Sequence, residues 1–280
     1  MKKKLLVAAL GGLFAMPVFA DDAPAAAAAP AAAAAPAAAP TPSVTSNVSL
    51  TTNYLYRGIS QTGGKPAIQG GFDYTHSSGF YAGTWGSNIS WISDGGAATN
   101  ASLELDTYFG FRNSFATDFN YDVGFLRYNY PGNYTPGATK ADTNEIYGLI
   151  GYKWISAKYS YALGDTFGVS DAKGTGYLNI TASYAIPDTS WTVGAHYGKQ
   201  TYKGSTTDAL VAAGEDPTYS DYNVSVSTDL GGLTKDLSGY SLGLLISDTD
   251  VKNRTTGGFY DVLGKDLGKS TGVLSISRTF

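Results

Sequence analysis

The chain has 280 residues, no cysteine, and 19 basic against 23 acidic side chains, for a formal net charge of −4. The missing cysteine excludes disulfides and thiolate sites, and the near balance of charge argues against a nucleic-acid partner. Glycine (35) and tyrosine (21) are abundant, as expected of many strands, tight turns and interfacial rings.

Met1 to Ala20 reads as a secretory signal peptide. Lys2, Lys3 and Lys4 supply its charged region, Leu5 to Phe14 its apolar region, and Val18-Phe19-Ala20 its cleavage site. A membrane anchor is the competing reading, but the apolar run is too short to span a bilayer and Pro17 interrupts it. No later stretch reaches the roughly 20 apolar residues of a spanning helix, so a membrane-inserted mature chain crosses as strands. Asp21 to Pro42 is an alanine-rich linker cut by Pro24, Pro30, Pro36, Pro40 and Pro42. Each proline pushes the preceding residue out of the helical region, which predicts a semi-extended tether and no long helix. The tether is either a disordered spacer or a periplasmic arm that touches another envelope component.

From residue 43 to 280 the chain predicts one all-β domain, a transmembrane antiparallel β-barrel of about twelve strands. Period-two segments recur near Val44–Arg57, Pro66–Tyr74, Phe80–Ile89, Ser102–Arg112, Phe119–Tyr128, Asn144–Lys153, Ser156–Leu163, Gly176–Ala185, Trp191–Tyr202, Asp221–Thr228, Tyr240–Ser247 and Thr271–Phe280. In the fourth, Leu103, Leu105, Thr107, Phe109 and Phe111 share one face, while Glu104, Asp106, Tyr108 and Arg112 share the other. Connections alternate in length. Those after even strands are short, such as Ser77-Ser78 and Trp154-Ile155, whereas those after odd strands are longer and polar, such as Ser90 to Asn100 and Asp248 to Lys269. Outer-membrane barrels have short periplasmic turns and long extracellular loops.

Aromatics flank the short turns (Tyr74, Phe80, Phe111, Phe119, Tyr152, Trp154, Tyr184, Trp191, Tyr240 and finally Phe280) and predict one interfacial ring. Tyr54, Tyr56, Trp91, Tyr128, Tyr130, Tyr161 and Tyr202, near the long loops, predict the other. A secreted sandwich or lipocalin-like barrel would also alternate, but its apolar face points inward and nothing there requires loop lengths to alternate. The last strand ends at Phe280, the expected contact for the barrel-assembly machinery.

The run Asn53-Tyr54-Leu55-Tyr56-Arg57-Gly58-Ile59-Ser60-Gln61-Thr62, followed by Pro66 to Tyr74 and Ser78 to Ile89, resembles the TorF family of porin-like bacterial outer-membrane proteins. Glu104-Leu105-Asp106, Glu145-Ile146-Tyr147-Gly148 and Ser156 to Tyr161 extend the resemblance, which covers roughly Val44 to Phe280 and leaves out the tether. Arg278 departs from the usual outer-membrane ending, which prefers an apolar or aromatic residue there. The resemblance implies a porin-like role in the outer membrane and names no substrate.

By alternation Arg57, Asp73, Glu104, Asp106, Arg112, Asp122, Glu145, Lys153 and Lys158 point into the lumen as candidate pore-lining residues. On the lipid face such charges would cost several kcal/mol near the midplane. Five acids against four bases leave little net field. The row serves either as a polar pore with a selective constriction or as a salt-bridge network that fills the lumen. Eight strands give a filled interior and sixteen or more an aqueous channel. Twelve lie between, and inward Tyr108, Tyr128, Tyr147 and Tyr177 narrow the bore, which suggests a narrow path for small polar solutes. At the mouth, Arg57 and Gln61 either meet a ligand or hold the loop Gly58 to Lys65 down.

Enzyme signals are poor. Gly264 to Ser270 has one residue too few for a phosphate loop and leads into a strand. Lys252 and Arg254 follow Asp248-Thr249-Asp250 and spoil a calcium loop. His76 lies beside a turn, and His196 reads as a solvated lumen histidine. No enzyme, cofactor or metal is expected. The expected function is passive diffusion of small hydrophilic solutes. The alternative is a plugged barrel with a structural or adhesive role. Solute and oligomeric state are not legible.

Overall fold

A computed structural model describes residues 42–254 and 257–280. The signal peptide, and the tether up to residue 41, lie outside the described residues. Twelve antiparallel strands close on themselves: β1 (Ser43–Thr51), β2 (Ala67–Thr75), β3 (Phe80–Asn88), β4 (Leu103–Phe115), β5 (Phe119–Asn129), β6 (Thr143–Tyr152), β7 (Ile155–Ala162), β8 (Gly176–Ala185), β9 (Trp191–Thr201), β10 (Tyr219–Asp229), β11 (Tyr240–Thr249) and β12 (Thr271–Thr279). Each pairs with its sequence neighbours, and β12 returns to β1 with Asn47 opposite Thr279 and Thr51 opposite Ser275. Closure leaves no unpaired edge, the condition for strands in hydrocarbon. Among the described residues no helix is long and apolar enough to cross a membrane.

Burial alternates along the strands in the sense that a lipid solvent demands. On β4, Leu105 and Phe109 face out at 41% and 59% exposure, while Glu104, Asp106 and Tyr108 face in at 1%, 2% and 4%. Ile68, Phe72, Val123, Ile146, Val224, Ile246 and Leu274 continue the apolar skin around the barrel. The soluble-barrel alternative, with its apolar face inward, is thereby excluded.

The predicted ring at the short-turn end forms. Phe80 meets Phe111 at 5.0 Å between ring centroids, Phe119 meets both Phe115 (5.2 Å) and Tyr152 (4.7 Å), and Trp154 meets Tyr184 (6.5 Å). The ring predicted at the long-loop end differs. Tyr54, Tyr56, Tyr128 and Tyr130 are buried in the interior together with Trp85 and Ile92. The outward rings near that end include instead Tyr159, and Tyr197 stacked on Tyr222 at 6.5 Å.

Strand β1 also ends earlier than its pattern predicts, at Thr51 rather than Arg57. The hydroxyl of Thr51 donates to the Asn53 carbonyl at 2.9 Å, and the chain then turns into the barrel. Period two persists through Tyr54, Tyr56 and Arg57 because these residues build a second, two-rung hairpin (Leu55–Tyr56 against Ile59–Ser60) inside the first connection.

Candidate functional site: a lumen entered by its first loop

Residues 52–66, loop one, fold inward. The turn of its hairpin is Arg57-Gly58, at φ 47° and 76°. Two positive φ values make the tight turn that suits a twisted two-residue hairpin. Gly58 is required twice over, because its φ is positive and because an added Cβ would lie 2.6 Å from Thr249 Cγ2 and 2.7 Å from Asp221 Cβ. The tip therefore presses on the inner faces of β10 and β11.

Arg57 spans the bore. Its Nη2 donates to both Glu145 oxygens, at 3.1 and 2.9 Å, and its Nη1 to Gln200 Oε1 at 2.7 Å. The hydroxyl of Tyr219 donates to the Arg57 carbonyl at 2.9 Å. The guanidinium carbon stands 4.2 Å from the Tyr177 ring centre and 4.8 Å from that of Tyr56. The Arg57 and Glu145 side chains are 4% and 3% exposed, so removing either partner strands a buried charge.

From Asn53 to Thr62 the rest of loop one is bonded to the wall, to the last loop and to itself. Asn53 Oδ1 accepts from Ser60 Oγ (2.7 Å) and Thr62 Oγ1 (3.1 Å). Tyr54 donates to Glu104 Oε1 at 3.0 Å, and Tyr56 to Tyr128 Oη at 2.7 Å. The side-chain amide of Gln61 stays within the loop, donating to the Ile59 carbonyl, and the Gln61 backbone carbonyl accepts from the backbone N–H of Ser90. Ser60 N–H reaches the Leu267 carbonyl of the last loop. Of the two readings open for Arg57 and Gln61, loop anchoring is the one these bonds supply. Outside the plug, loop one and the last loop leave a cavity of about 310 Å³ bordered by Asn53, Ser60, Lys265 and Lys269.

Beneath the plug, tyrosine hydroxyls meet the lumen carboxylates. Tyr81 donates to Asp122 (2.6 Å), Tyr108 to Asp73 (2.7 Å) and Tyr177 to Asp221 (3.0 Å), with Tyr54 on Glu104 as above and Tyr128 near Glu145 (3.5 Å). Tyr81 and Tyr147 also share a hydrogen bond. A phenol suits this task because it buries an apolar ring and ends in a donor. Three of these rings lie flat on a glycine directly across the ladder: Tyr108 on Gly83, Tyr81 on Gly110 and Tyr147 on Gly124. The rings therefore hug the wall and take less of the bore than their size suggests. Arg112 and Lys158 sit over the Tyr81 and Tyr147 rings at 4.1 and 4.3 Å. Glu104 Oε2 and Asp106 Oδ1 are buried without a hydrogen-bond partner among the described residues.

The opposite wall is built of short polar groups. Thr181, Ser183, Thr192, Asn223, Ser225 and Ser227 face inward and are half-buried, and they carry the polar wall toward the short-turn end. His196, expected to be solvated, is held instead. Its Nε2 lies 2.8 Å from Asp221 Oδ1 and 3.1 Å from Tyr177 Oη, and its Nδ1 lies 3.3 Å from Thr181 Oγ1.

Alternation thus places Asp73, Glu104, Asp106, Arg112, Asp122, Glu145 and Lys158 on the inner wall. Arg57 also reaches the lumen, though from a loop rather than from the end of a strand. Lys153 does not reach it. It sits in the β6–β7 turn at φ 52°, with a side chain 48% exposed and 3.7 Å from Asp118. Asp221 joins the lumen set; an inward-charge search that stops at the seventh strand misses it. The inward charges named here are therefore six carboxylates (Asp73, Glu104, Asp106, Asp122, Glu145, Asp221) against three cations (Arg57, Arg112, Lys158), rather than five against four.

Solved structures with a similar course include a KdgM porin, at TM-score 0.46 and 10% identity over 85% of this chain and 98% of that one. OccAB3 of Acinetobacter baumannii has TM-score 0.42 and 14% identity over 82% and 59%. OprD of Pseudomonas aeruginosa has 0.38 and 12% over 85% and 66%. Likeness at this level names no solute for this chain. No curated protein matches. Residues 33–280 match a family described as a bacterial protein of unknown function, Gcw_chp, a description without the TorF name. The chain belongs to that family.

Proposed function

We propose that this chain is an outer-membrane channel for passive passage of small hydrophilic solutes, that its lumen favours cations, and that loop one closes its outer half. The observation that carries the reading is an inside-out barrel with a polar bore: lipid-facing apolar residues outside, and inside a net excess of three carboxylates together with a wall of inward hydroxyls. A fixed negative field in a narrow low-dielectric bore concentrates cations and repels anions. Export by a cleaved signal peptide, insertion by the barrel-assembly machinery through Phe280, and kinship with TorF porins complete the proposal. The pore-lining residues are Asp73, Glu104, Asp106, Arg112, Asp122, Glu145 and Lys158.

One observation favours a second reading. The plug is bonded to the wall on several strands, as in a barrel whose role is structural or adhesive. Reversal potential across a planar bilayer separates the two. A channel held under a salt gradient passes current that reverses on the cation side of zero, and Asp106→Asn or Arg112→Ala moves that potential. A permanently plugged barrel passes none, and the same variants change only its stability.

A further inference from the structure

Arg57 is gripped as a ligand would be. The guanidinium belongs to a loop, but its clamp belongs to the wall: Glu145 on β6, Tyr177 on β8 and Gln200 on β9. Each clamp residue has support of its own. Gln200 Nε2 donates to the Gly176 carbonyl at 3.4 Å, the Tyr177 hydroxyl is fixed by Asp221, and Glu145 Oε2 lies 3.5 Å from the Tyr128 hydroxyl. A two-oxygen acceptor beside an aromatic face is the recognition surface for a planar guanidinium; a round ammonium uses it less fully. Without Arg57 the named lumen charges would stand at six carboxylates against two cations.

We propose that this clamp is a subsite for the guanidinium group of a small solute, and that Arg57 occupies it when the loop is in. Solute and Arg57 compete for one set of partners, so a guanidinium solute binds only where the loop has left. A ligand with that differential affinity shifts the population toward the open state. The consequence for transport rests on the channel reading; the binding site does not.

Titration calorimetry of the refolded Arg57→Ala barrel with methylguanidinium reads the site directly. Saturable binding is expected in Arg57→Ala, at least roughly tenfold weaker binding after adding Glu145→Gln, and weaker binding of methylammonium. No saturable binding in Arg57→Ala, or binding indifferent to Glu145→Gln, overturns the proposal. Wild type supplies a measurement that survives misfolding of the variants. Amide exchange at residues 53–62 should rise several-fold with methylguanidinium over sodium chloride of equal ionic strength, and no rise contradicts competition. Bilayer current recorded in parallel distinguishes the two claims. Binding with no current in any variant sinks the channel and leaves the site, whereas current without binding does the reverse.

Discussion

Arg57 and Gly58 show how much one turn decides. Glu145→Gln leaves the Arg57 charge buried with a neutral partner, and losing one member of such a pair costs on the order of 3 kcal/mol. The midpoint of urea unfolding of the refolded barrel should fall accordingly, and an unchanged midpoint would mean that the pair is not formed. Gly58→Val combines an adverse φ with a collision against Thr249 and Asp221. It should release loop one with little loss of barrel content, read as faster amide exchange at residues 53–62 against an unaltered circular dichroism spectrum. Five of the six inward carboxylates were legible from period two alone, because one residue of slip would put each of them in lipid; Asp221 escapes a search for inward charge that stops at the seventh strand. The Arg57–Glu145 contact was not legible. It joins residues far apart in sequence through a loop whose direction no local pattern encodes.

At the level of elements, strands were readable and loops were not. Alternation and loop-length asymmetry gave all twelve strands in nearly their observed positions. They overran at β1, where Tyr54 and Tyr56 keep a period of two while belonging to a different hairpin. The same cause moved the outer ring: a tyrosine near a loop reads as an interfacial anchor, but here Tyr54, Tyr56, Tyr128 and Tyr130 bury their hydroxyls against carboxylates and one another. The two last outer loops, residues 202–218 and 250–270, are tied by an ion pair between Lys252 and Asp216. Burial pushes the Asp216 carboxyl up, but Lys252 and the Thr218 backbone N–H outweigh it and hold the group below the ordinary carboxylate value. A carboxyl lowered on folding contributes stability that is present above its unfolded pKa of about 3.9 and is lost as pH falls through the lower folded value. Proteolysis of these loops by an acid-active protease should therefore stay flat down to about pH 4 and rise below it. A rise already complete at pH 6 would exclude Asp216 as the cause.

For the whole molecule the governing fact is orientation. Phe109, 59% exposed at the middle of β4, lies on the apolar outer face, so Phe109→Arg should cost about 2–4 kcal/mol in a bilayer. Refolding into lipid vesicles, with denaturant midpoints compared to wild type, measures it. On the channel reading proposed above, orientation also sets the sign of transport, because the carboxylate excess lies inside. Single-channel recording of wild type beside a barrel whose residues 54–61 are replaced by two glycines shows whether loop one closes a cation-preferring lumen. A small or intermittent wild-type current is expected, and without the loop a several-fold larger, steady, cation-preferring one. Two equal currents, two silent barrels or anion preference in the shortened barrel would contradict the proposed function.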